Sequence, residues 1–161
     1  MSSLLWCALQ VVIVGLLASA SPGQAVTPNF SGTWNLDPTK TTAPYSSSSA
    51  ALKIEQTGPQ LRYQYIENGV LKYAGVLIAD GKERERYKTK VDRVYYRARW
   101  VKSELVIATR GFQDAMGTQT YSYTDRWTVS DDGSILTHTL ADKKVAVYRR
   151  DGKQSEAGRS D

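Results

Sequence analysis

The chain has 161 residues and a single cysteine, Cys7, which leaves room for one domain and excludes a disulfide framework or a thiolate metal site. Lysine and arginine number 21 against 16 aspartates and glutamates, a net charge of +5. That is moderately basic and short of the density that marks a nucleic-acid binder, so no nucleic-acid partner is expected.

Residues 1–25 carry no Asp, Glu, Lys or Arg, and an apolar run from Leu4 to Leu17 ends in Ala18, Ser19 and Ala20. A short apolar stretch closed by small residues reads as a secretory signal peptide, with cleavage expected after Ala25 or Ala20. A membrane-spanning helix would need about 20 apolar residues. The mature protein is therefore expected to be secreted or periplasmic, and to lack a thiol because Cys7 leaves with the signal. Residues 26–150 read as one domain and 151–161 as a polar, disordered tail.

From residue 32 onward, short segments rich in Tyr, Val, Ile, Thr and Trp alternate with turn signals. Predicted strands cover 32–37, 51–57, 60–67, 70–79, 82–88, 93–101, 104–110, 118–130, 134–140 and 144–150. Asn68-Gly69, Asp80-Gly81 and Asp132-Gly133 suit tight hairpins, whose central residues take positive φ. Residues 38–50, rich in Ser, Thr and Pro, form a long loop that could fold over one end as a lid. The pattern is all-β: an up-and-down antiparallel meander of 8–10 strands, closed into a barrel because a flat sheet this wide would expose its edges. A monomer is expected.

Side chains alternate between faces along a strand. Val94, Tyr96, Ala98 and Trp100 share one face, opposite Arg93, Arg97 and Arg99; Tyr121, Tyr123, Trp127 and Val129 share another, opposite Ser122, Thr124 and Thr128. The predicted interior thus holds Tyr63, Tyr65, Tyr96, Trp100, Tyr121, Tyr123 and Trp127. A buried phenol needs a partner for its hydroxyl. Two outcomes fit: a barrel filled by these rings, or an amphipathic pocket for a small, partly hydrophobic, aromatic or hydroxylated ligand.

The segment Phe30-Ser31-Gly32-Thr33-Trp34-Asn35-Leu36 opens the first strand with Gly-x-Trp, and Asp125-Arg126-Trp127-Thr128-Val129 recurs later. The chain resembles lipocalins and related calycins over about residues 30–150, and in particular exported bacterial lipocalin-like proteins. The resemblance implies that Trp34, entered through Gly32, closes the narrow end of the barrel, with a basic residue of the last strand across its ring. Arg149 and Arg150 are the candidates; Arg149 is preferred because it shares parity with Val145 and Val147. Ten strands would bring the chain closer to fatty-acid-binding and nitrobindin-type barrels.

His138, the sole histidine, shares parity with Leu136 and Leu140 and joins the candidate ligand-binding set. In nitrobindin-type barrels a late histidine ligates haem, which makes haem an alternative at His138, although no cofactor is expected. No His, Asp and Glu cluster has metal-ligand spacing. Asp125 lies on the face of Tyr123 and Trp127; together with His138 it could serve a barrel enzyme, although no nucleophile motif accompanies the pair. Residues 82–99 hold Lys82, Arg84, Arg86, Lys88, Lys90, Arg93, Arg97 and Arg99 against Glu83, Glu85 and Asp92. These are expected to form a basic outer face, either simply solvated or in weak contact with an anionic surface, as a ligand-free interaction module would use it.

Overall fold

The computed structural model describes residues 27–43, 49–113 and 118–152; the segment expected to be a signal peptide, with Cys7, and most of the tail lie outside them. Ten strands follow in chain order: β1 (Gly32–Leu36), β2 (Ala50–Thr57), β3 (Gln60–Glu67), β4 (Val70–Ile78), β5 (Asp80–Lys88), β6 (Asp92–Val101), β7 (Glu104–Gln113), β8 (Thr118–Val129), β9 (Ile135–Thr139) and β10 (Val145–Arg150). All pair antiparallel in one sheet of order β4-β3-β2-β1-β10-β9-β8-β7-β6-β5. The first and last strands are therefore neighbours, with Trp34 opposite Arg150. Among the described residues no ladder joins β4 to β5. The barrel is nearly closed, with a seam between those two strands.

Turn chemistry sets the connections. Asn68 and Gly69 both adopt positive φ, 52° and 75°, in the β3–β4 hairpin, where the left-handed region is cheap for these residues. Asp80-Gly81 behaves differently from the expected turn: both residues are already in β5. The register against β6 slips there, between Asp80 and Glu83, and again between Glu85 and Tyr87. Each slip is a bulge, which adds a residue to one strand and re-aims the side chains beyond it.

The interior is built from one parity of each strand. Trp34, Leu36, Leu52, Ile54, Leu61, Leu77, Ala98, Leu105, Leu136, Ala146 and Tyr148 form its buried core. Trp34 is fully buried, its indole nitrogen donates to the Phe30 carbonyl at 2.9 Å, and Phe30 packs on Trp100. The cation across the indole is Arg150, 4.2 Å from the ring centroid. Arg149 instead points outward and pairs with Asp37 at 2.8 Å.

The parity that favoured Arg149 misled because Val147 is buried on the outside of the barrel. Residues 37–43 run along the outer side of β10: Asp37 donates to the Val147 carbonyl, and Thr42 and Ala43 donate to that of Val145. An outward valine under a covering segment looks like an inward one. The same contacts hold the described part of the 38–50 loop against β10; residues 44–48 lie outside the described residues.

Candidate functional site

The barrel holds a cavity of about 750 Å³, open on one side and lined by residues of seven strands. Tyr63 comes from β3; Tyr73, Gly75 and Leu77 from β4; Arg86 and Tyr87 from β5; Tyr96 and Ile107 from β6 and β7; Tyr123, Asp125, Trp127 and His138 from β8 and β9. The cavity opens toward the seam, where Tyr73 is 49% and Tyr87 50% exposed.

Register explains why these side chains meet. Tyr123, Asp125 and Trp127 stand at every second position of β8, opposite Thr109, Ile107 and Leu105 of β7, while His138 stands opposite Trp127. One face of the β7–β9 wall thus carries two rings, a carboxylate and an imidazole. On the other side Tyr63 faces Gly75 across the β3–β4 ladder. A Cβ at Gly75 would lie 2.6 Å from the ring carbon that bears the hydroxyl, so only glycine lets Tyr63 lie across β4 toward the seam. The Arg86 guanidinium then donates to the Tyr63 hydroxyl at 2.7 Å, bridging the two sides of the seam.

Of the eight side chains expected to line a pocket, Tyr63, Tyr96, Tyr123, Trp127 and His138 do so. Tyr65 is buried beside them and stacks on Tyr73 at 4.9 Å. Trp100 packs against Phe30 at the closed end. Tyr121 shares the face of Tyr123 and stacks on it at 5.9 Å, but it lies over Gly111, 42% exposed. Burial, followed by its hydrogen bond to Tyr87, raises the Tyr121 phenol above its ordinary pKa.

Tyr73 and Arg86 are among the lining residues that sequence alternation does not reveal. Tyr73 lies on a strand whose parity is blurred by a register shift at Tyr65 and Ile66. Alternation puts Arg86 on a basic outer face; the register slip between Asp80 and Glu83 instead turns Arg84 and, two residues on, Arg86 to the face of the inward Tyr96, and Arg86 reaches the seam. Arg84 likewise stands opposite the inward Tyr96 and pairs with Asp80, whose carboxyl that bond holds well below its usual range. The shared basic exterior of β5 and β6 is thereby corrected: Arg97 and Arg99 remain outside, interleaved with the Glu83–Arg110 ion pair.

Electrostatically the β8–β9 wall is incompletely satisfied. Asp125 Oδ2 lies 3.7 Å from His138 Nε2. Asp125 Oδ1, Trp127 Nε1 and Thr109 Oγ1 are buried without a hydrogen-bond partner. Leaving such a group unpaired costs roughly 1–3 kcal/mol; Asp125 and Trp127 are lining residues of the cavity and Thr109 is not. Haem ligation would require His138 to turn a nitrogen to the cavity centre, whereas Nε2 faces the carboxylate. Among the described residues no three His, Cys, Asp or Glu side chains are placed to hold a metal ion. The geometry defines an antiparallel barrel with an aromatic, partly polar interior open at one seam. No protein-family model matches the chain, and no curated protein matches it.

Proposed function

We propose that the chain is an exported, lipocalin-like (calycin) barrel that binds a small, partly aromatic molecule inside, with Tyr63, Tyr96, Tyr123 and Trp127 as its walls. One observation carries this: beside the packed core the rings leave a cavity of about 750 Å³, open at the seam. Cavities above about 300 Å³ accommodate small ligands, with apolar walls for affinity and a few polar groups for orientation. The Gly32–Trp34 opening, sealed by Arg150, supports the calycin kinship. Native mass spectrometry of the mature protein purified from its source tests the reading. A stoichiometric small-molecule adduct is expected, lost when Tyr123 and Trp127 are replaced by Ala. A bare polypeptide mass, with no aromatic compound binding on titration, would refute it.

A second reading, a barrel enzyme, has one observation in its favour: Asp125 and His138 converge in the same cavity, where the imidazole could take a proton from a bound molecule. Turnover of the co-purified molecule by the wild type but not by His138→Ala would establish it.

A further inference from the structure

Among the described residues the large apolar side chains left exposed belong to one region. They are Val70, Leu71, Tyr73 and Val76 on β4, Tyr87 and Val91 at the end of β5 and in the turn after it, and Tyr121 and Tyr123 on β8. Tyr73, Val76, Tyr87 and Tyr123 line the cavity, which accounts for them. Val70, Leu71 and Val91 do not line it, and each is more than half exposed. Single exposed apolar residues are ordinary, but a cluster marks a contact site.

These three stand on hairpin tips. Val70 follows the Asn68-Gly69 turn, opposite Glu67. Val91 is held in the β5–β6 turn, where the Thr89 amide donates to the Asp92 carbonyl and the Thr89 hydroxyl accepts from the amides of Val91 and Asp92. Alternate turns of an antiparallel meander fall at the same end. The β2–β3 turn lies at the sealed base, where the Phe30 amide donates to the Gln56 side chain. The β3–β4 and β5–β6 turns therefore stand at the other end, one on each side of the seam. Their charge is basic. Glu67 is met by Lys72. Lys88 and Lys90, beside the Val91 tip, are exposed and without an ion pair among the described residues, with Asp92 the one carboxylate in that turn.

We propose that these two tips dock the open end of the barrel on an anionic phospholipid bilayer, with Val70, Leu71 and Val91 entering the headgroup region and Lys88 and Lys90 meeting the lipid phosphates. Apolar side chains beside lysines suit the bilayer interface, where burial of apolar area and attraction to anionic lipid add. Two tips with an open mouth between them offer a protein no continuous face, whereas headgroups close around each tip. Tyr73, Tyr87 and Tyr121 follow at the depth that tyrosines favour in membranes. Docking does not depend on what the cavity binds, and it sets the mouth of the cavity against the lipid.

Flotation of the mature protein with phosphatidylcholine vesicles, with and without phosphatidylglycerol, tests this. Binding should require phosphatidylglycerol and fall as salt is raised. Leu71→Gln with Val91→Gln, and separately Lys88→Gln with Lys90→Gln, should each weaken binding at least about tenfold, a lysine near an anionic surface being worth roughly fivefold. Arg97→Gln with Arg99→Gln, on the outer wall of β6, should leave it unchanged. All these side chains are exposed, so each variant should melt like the wild type. No cysteine follows Cys7, so a polarity-sensitive fluorophore can be placed singly. On Val91→Cys its emission should shift to the blue with these vesicles; on Ser103→Cys, in the β6–β7 turn at the base, it should not. Failure to float, equal flotation with both vesicles, a loss from the β6 arginines as large as that from the tips, or a blue shift at residue 103 instead of 91 would overturn the proposal. So would a dimer, in place of vesicle binding, that the tip variants abolish; the patch would then join two copies of the chain.

Discussion

Trp34 concentrates several interactions on one side chain: full burial, a hydrogen bond to Phe30 and the Arg150 guanidinium on its face. Trp34→Ala should cost about 3–5 kcal/mol, as large core truncations do. Arg150 also donates to the carbonyls of Gly133, Ser31 and Asn29, so its side chain ties the segment leading into β1 and the β8–β9 turn to the base. Urea denaturation should show Arg150→Ala to be clearly more destabilising than Arg149→Ala, whose ion pair with Asp37 leaves the arginine 59% exposed. Equal losses would mean that the indole–guanidinium contact carries no weight.

Asp132, in the β8–β9 turn, gives a pH signature. Its carboxylate accepts from the Ser130 hydroxyl and from the Ser134 hydroxyl and amide, which lower its pKa to about 2 from an ordinary 3.8. A carboxyl whose folded pKa is depressed stabilises the fold above its unfolded value and loses that contribution as pH falls through the folded one. The difference in urea midpoint between wild type and Asp132→Asn should thus be present at about pH 6 and shrink between about pH 4 and pH 2. A constant difference would assign the effect to the turn's shape instead of its charge.

At the scale of the strand, β4 and β5 are the weak elements. Each has one free edge, and most of their residues are exposed, whereas half of β7 is buried and it is paired on both sides. Local opening needs few contacts there, so amide exchange should be fastest in 70–78 and 80–88 and slowest in 104–113. Protection of β4 equal to that of β7 would show that the seam is closed in solution. These same strands were the least legible from sequence. Alternation in β6 and β8 assigned faces correctly, Tyr96 and Trp127 inward and Arg97 outward, because both strands run with unbroken parity through those residues. In β5 two bulges shift the frame; Gly81, at φ 77°, marks the first, but nothing in the alternating Glu and Arg that follow announces the second. The cavity itself depends on how far rings reach across the barrel, and alternation is silent about that. Tyr63, lying over Gly75, is the plainest case.

For the whole molecule, the order of the sheet has a consequence for how the chain could be rewired. Read from β5 through β10 and on from β1 to β4, every neighbour in the ladder becomes a neighbour in sequence. The natural chain is thus a circular permutation of a plain ten-strand meander, cut between β10 and β1. The cut ends lie close together, since the Asp151 amide donates to the Thr33 carbonyl at 2.8 Å. A permuted variant that begins at Asp80, joins Gly152 to Thr27 through a short linker and ends at Ala79 breaks no ladder pairing, because β4 and β5 share none. It converts the β1–β10 pairing, the longest in sequence separation, into a local hairpin. Rates of folding rise as contacts become local, so the permutant should refold faster than the parent and keep Trp34 buried, as stopped-flow tryptophan fluorescence would show. Slower refolding would mean that the linkage between β4 and β5, though unpaired, organises the folding of this barrel.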